Sequence, residues 1–131
     1  MELENLYDIA ETDNIGVYAF GLNECDSLSL SHSGKCFIAI NPFKIQSNAD
    51  EKVKLAHELG HCETGSFYNQ YAVCDIRSKH EHAANKWAIK KLIPEDELRK
   101  ACNFCRNRWE LSEYFEVTED FMQKALDFYK H

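Results

Sequence analysis

Residues 57–61 read His-Glu-Leu-Gly-His, and the stretch around them limits the possible folds more than any other part of the chain. At about 100° per residue, Leu55, Leu59 and Cys62 share one side of a helix, while Ala49, Val53, Ala56 and Gly60 share another. From residue 55 onward its only polar groups are His57, Glu58 and His61. A helix apolar nearly all round is an interior one. It therefore carries three ionisable side chains inward, at a cost of several kcal/mol unless they pair or coordinate a metal. Ordinary hydrogen bonds would suffice for a lone core histidine, but not for this trio. Gly60 costs about 1 kcal/mol relative to Ala in mid-helix, which points to another backbone approaching closely there.

His57 and His61 lie one turn apart on the same side, as two imidazoles sharing one zinc ion must. Glu58 is set about 100° round from His57, able to reach a water on the metal without binding the metal itself. A catalytic zinc takes three protein ligands and keeps an open position. The extended pattern H-E-x-x-H-x-x-G-x-x-H fails, because Thr64 stands in place of its Gly and Phe67 in place of its third His. The third ligand must come from elsewhere. Glu81 begins a helical face that continues through Ala84, Asn85, Ala88 and Leu92, small enough for two helices to approach closely. Its rivals are His80, His82, Asp75 and Cys74. His82 points about 100° away from that face, and Cys74 and Asp75 precede the helix. Glu81 is the choice, with His82 or His80 next.

Composition narrows the setting. A chain of 131 residues, 44% apolar and 28% charged, has one domain's worth of core, so residues 1–131 read as a single unit with 95–131 as a helical subregion. No apolar run approaches the ~20 residues of a membrane-spanning helix. The acidic start Met1-Glu2-Leu3-Glu4 lacks the basic opening of a secretory signal, which implies a cytoplasmic protein. A net charge of −7 without a basic stripe disfavours nucleic acid as a direct partner. With no sign of secretion, the six cysteines read as reduced, mostly buried thiols. Cys102 and Cys105 form a lone C-x-x-C with no second pair to complete a metal site.

The remaining pattern predicts an α+β fold. A short helix over 3–11 precedes three strands, 15–20, 27–32 and 35–40, in a small antiparallel sheet, with a hairpin turn at Ser33-Gly34. A helical body follows. Its first helix, which carries the histidines, is capped at Ser47, Asn48 or Asp50 and runs to about Cys62. Further helices are expected over 79–93, from Pro94 to about Asn103, over 109–115, and from Thr118 to about Lys130, the last two forming a short tail.

Leu55-Ala-His-Glu-Leu-Gly-His61, followed by Glu81-His-Ala-Ala-Asn-Lys-Trp-Ala-Ile-Lys-Lys-Leu-Ile-Pro94, resembles the ImmA/IrrE family of metallo-endopeptidases. That family shows L-A-H-E-L-G-H and then E-x-x-A-N-x-F-A. Trp87 here replaces the usual Phe and Lys91 a usual Leu, both at packing positions. The strand ending Phe37-Ile-Ala-Ile-Asn41 and the segment Leu111–Asp120 fit as well, so the likeness spans about residues 15–130. It implies a gluzincin-like zinc protease of bacteria or their phages and mobile elements. Its substrate would be a helix-turn-helix repressor or antitoxin encoded nearby.

On this reading His57, His61 and Glu81 hold Zn2+, and Glu58 takes a proton from the attacking water and passes it to the leaving amine. Asn85, one turn after Glu81, is a candidate to orient a ligand. Candidates for the oxyanion donor are Tyr68, Tyr71, Arg77, His80 and His82. Glu113, Glu116, Glu119 and Asp120 would repel phosphate, so the tail reads as packing or substrate docking. No added DNA-binding or sensor domain is expected, which leaves a partner, metal supply or expression as the trigger. The alternative is a non-proteolytic module that sequesters a repressor on a metal-stabilised fold.

Overall fold

A computed structural model describes residues 1–22, 25–67 and 77–130, with backbone alone at 77 and 78. The order is α1 (Leu3–Thr12), β1 (Gly16–Ala19), β2 (Ser27–His32), β3 (Lys35–Ile40), α2 (Asn48–Thr64), α3 (Arg77–Leu92), α4 (Glu95–Ala101), α5 (Arg108–Phe115) and α6 (Glu119–Tyr129). The fold is α+β, as the pattern implies. Among the described residues no helix is long and apolar enough to cross a membrane.

The sheet differs from expectation in one respect: it is mixed, with the order β1-β3-β2. β2 and β3 form the antiparallel hairpin, turning through Ser33 and Gly34, both at positive φ (53° and 77°), as a two-residue turn requires. β1 instead pairs parallel with β3, Gly16 opposite Phe37 and Ala19 opposite Ile40. The segment between β1 and β2 is too long for a tight hairpin, and where it is described, at Leu22 and at Cys25 and Asp26, it is held to the end of β3 by Asn41. Its side-chain amide donates to the carbonyls of Leu22 (2.9 Å) and Cys25 (3.3 Å), and its backbone N–H donates to Asp26 O at 2.8 Å. β3, in the middle, supplies buried Ile38, Ala39 and Ile40, which is why it reads as a continuous apolar run.

The core lies between this sheet and the helices. α2 begins at Ser47, whose hydroxyl accepts from Asp50 N, and ends at Gly65 with φ 66°. Leu55, Ala56 and Leu59 are fully buried against α1, the sheet and α3. Lys52 is buried too. Its Nζ donates to Phe115 O at 2.8 Å, tying α2 to the end of α5, and burial pushes its pKa down. Phe115, Val117, Phe121, Met122 and Ala125 belong to the same core, so the α5–α6 tail is part of the packed body.

The cysteines also depart from expectation. Cys36 on β3 and Cys62 on α2 form a disulfide with Cα atoms 5.8 Å apart. Among the described residues the free thiols are Cys25 and Cys105, half-buried, and Cys102, exposed, so these three are not mostly buried. The pairing had no local signal, because the sheet packing on α2 joins residues 26 apart. Replacing both bridged cysteines with serine is expected to lower stability by about 3 kcal/mol in urea unfolding. An unchanged midpoint, with or without dithiothreitol, would mean the bridge contributes nothing.

Candidate metal centre

α2 and α3 lie side by side, and at Gly60 their backbones approach closely. A Cβ at that position would sit 2.5 Å from Ala84 O and 3.0 Å from Ala84 Cα. Ala84 and Ala88 are fully buried in the interface. This close approach brings Glu81, about one turn before Ala84, to the histidines. Glu81 Oε2 is 2.9 Å from His57 Nε2, Glu81 Oε1 is 3.1 Å from His61 Nε2, and the two Nε2 atoms are 3.2 Å apart.

Hydrogen bonds on the far side of each ring fix what those nitrogens can be. His61 Nδ1 meets the carbonyl of Ser66, which only accepts, so Nδ1 carries the proton. His57 Nδ1 meets Asn85 Oδ1 at 2.9 Å, which requires the same of that ring. In the neutral rings both Nε2 atoms then present lone pairs, and they converge with a carboxylate. Three electron-pair donors at 2.9–3.2 Å with no proton among them repel one another, and a cation relieves that repulsion. The 3.2 Å between the two Nε2 atoms is also close to the edge, about 3.3 Å, of a tetrahedral shell of 2.0–2.1 Å bonds. Among the described residues, His57, His61 and Glu81 are the group of metal-ligating side chains close enough to share an ion.

The protein's turn chemistry serves this arrangement. Gly65, in the left-handed region, lets the chain fold back so that Ser66 reaches His61. Phe67, one residue on, stacks on the His61 ring with centroids 6.2 Å apart. Glu58 is buried, and its Oε2 accepts from Ser27 Oγ at 2.7 Å. A cleft of about 690 Å³ opens over the group. β2 from Ser27 to Ser31 forms one wall, with His57, Glu58, His61, Phe67 and Glu81 facing it.

Other sequence candidates fall elsewhere. His82 is exposed and lines a different cavity, together with Asn85, Lys86 and Phe128. His80 lies outside the group. Tyr68, Tyr71, Cys74, Asp75 and the side chain of Arg77 lie outside the described residues. Ser27 and Ser66 were not anticipated. Gly65 just after the helix was a signal for the return of Ser66, but nothing in the sequence pointed to Ser27.

Residues 13–127 match the family described as the IrrE N-terminal-like domain, peptidase M78. The chain belongs to that family. Membership in the IrrE N-terminal-like family makes a metallopeptidase of the chain, and the His57–His61–Glu81 group is where a metal ion fits. No curated protein matches the chain.

One further charge lies close by. Glu63 sits two residues past His61 and hydrogen-bonds Asp13. Glu63 is largely exposed; partial desolvation, then that bond and the Asp13 charge, push it up to about 7, against the pull of Lys91. Folding thus favours the protonated form. The contribution to stability is complete below about pH 4.5 and is lost as pH rises toward 7. Glu63→Gln should flatten stability across that window in denaturant titrations. An unchanged slope would remove Glu63 as its source.

Proposed function

We propose that this protein is a zinc-dependent endopeptidase that hydrolyses a peptide bond in a protein substrate. The carrying observation is the convergence of two lone-pair-bearing imidazoles and one carboxylate beside a buried, non-ligating glutamate, all on one cleft. His57, His61 and Glu81 would hold the zinc, with Asn85 and the Ser66 carbonyl orienting the rings. When bound, zinc supplies Lewis acidity that polarises the scissile carbonyl and makes water acidic near neutral pH.

The rest falls to the chain. Glu58 accepts the proton of the attacking water, holds it while the carbonyl carbon becomes tetrahedral, and returns it to the departing amine. Among the described residues β2 is an edge strand, and such a strand offers unpaired backbone N–H and C=O groups to an extended peptide. That suits a polypeptide better than a compact small molecule. The substrate we favour is a helix-turn-helix repressor or antitoxin encoded nearby, acted on in the cytoplasm.

The experiment is to incubate the purified protein with zinc and the neighbouring repressor, with and without chelator, and to map products by mass spectrometry. A single zinc-dependent cut supports the reading. An intact repressor that nonetheless co-purifies with the protein would replace proteolysis with capture.

A further inference from the structure

A buried carboxylate needs a donor, and Glu58 finds its donor 31 residues away, on β2. Ser27 is the first residue of that strand and is fixed on several sides. It stands opposite Ile40 in the β2–β3 ladder. The preceding residue, Asp26, accepts at its carbonyl from Asn41 N (2.8 Å), and its carboxylate pairs with Lys54 Nζ at 2.6 Å. Lys54 lies one turn before Glu58, on the same side of α2. Strand and helix are therefore joined at two points a turn apart: Asp26 to Lys54, and Ser27 to Glu58.

We propose that Ser27 is a positioning residue for Glu58: its hydroxyl holds one carboxylate oxygen against β2 and so presents the other to the cleft. This rests on the reading of Glu58 as the proton acceptor. A glutamate side chain has three torsions, and a donor on a rigid strand removes that freedom before the substrate arrives. The strand that carries the donor also walls the cleft. A peptide laid along β2 would thus be registered against the same element that sets the base.

The test needs no substrate. The protein is loaded with Co(II), which reports its ligands in the visible spectrum, and titrated with acetohydroxamate, a small chelator that gives up a proton on binding a metal. Glu58 is the group placed to take that proton. Glu58→Gln should weaken hydroxamate binding strongly. Ser27→Ala should weaken it about tenfold with cobalt content unchanged, and Ser27→Thr should restore it. In the metal-free protein, the carboxyl carbon resonance of Glu58 should move in Ser27→Ala and return in Ser27→Thr.

Native affinity in Ser27→Ala, with loss in Glu58→Gln, overturns the role of Ser27 and leaves that of Glu58 standing. No loss in Glu58→Gln overturns both. Should Ser27→Ala fail to fold, Ser27→Cys decides: a thiol is a poor donor, so native affinity there also overturns the proposal.

Discussion

Glu58→Gln should remain folded and take up metal normally while losing at least about 10³-fold in peptide hydrolysis. The amide has nearly the shape of the carboxylate and can still accept from Ser27 through its oxygen, so the burial and the hydrogen bond survive. What it cannot do is take a proton. The loss should fall on kcat, with substrate binding retained, because the proton moves only as the tetrahedral centre forms. The same variant would hold its substrate uncut and so capture it for identification. Loss of metal together with activity would instead make Glu58 a ligand. Retention of activity would place the base elsewhere.

Gly60→Ala carries the second large effect. Helix propensity alone favours Ala by about 1 kcal/mol, but the added methyl would meet backbone, with Ala84 O at 2.5 Å. A main-chain carbonyl in the middle of a helix cannot swing aside as a side chain would, so α3 must move away from α2. Overpacking of this kind costs about 3 kcal/mol, enough to reverse the propensity gain. Because α3 carries Glu81 and Asn85, the same displacement should weaken metal binding by at least about tenfold. Urea unfolding and a metal titration on one preparation check both parts. A stabilised variant with native metal affinity would mean that the helices are not in contact at Gly60.

The parts of this protein that were legible in its sequence are those written with a local period. The 3.6-residue repeat placed α2 and α3 and put His57 and His61 on one side of α2. The lone glycine signalled the close helix approach, which the structure places at Ala84. Ser33-Gly34 marked the one tight hairpin. What escaped depends on contacts between distant segments. The strand pattern alone predicts an antiparallel sheet, whereas β1 pairs parallel with β3, a partner set by contacts at the end of β3 such as those of Asn41 with Leu22 and Cys25. The Cys36–Cys62 bridge and the Ser27–Glu58 hydrogen bond each join the sheet to α2, and neither has a spacing rule. The C-terminal segment showed its helices and left packing and docking both open, because acids flank its apolar residues; Phe115 and Phe121 are core residues.

Every role assigned above depends on a metal ion shared by α2 and α3. Equilibrium dialysis of the native protein and of His61→Ala and Glu81→Ala against zinc, with circular dichroism on each sample, measures this directly. The native chain should take up one zinc, and both variants should lose tight binding while keeping their helical spectra. Stoichiometric zinc retained by Glu81→Ala with undiminished affinity, or no uptake by the native chain, would contradict it.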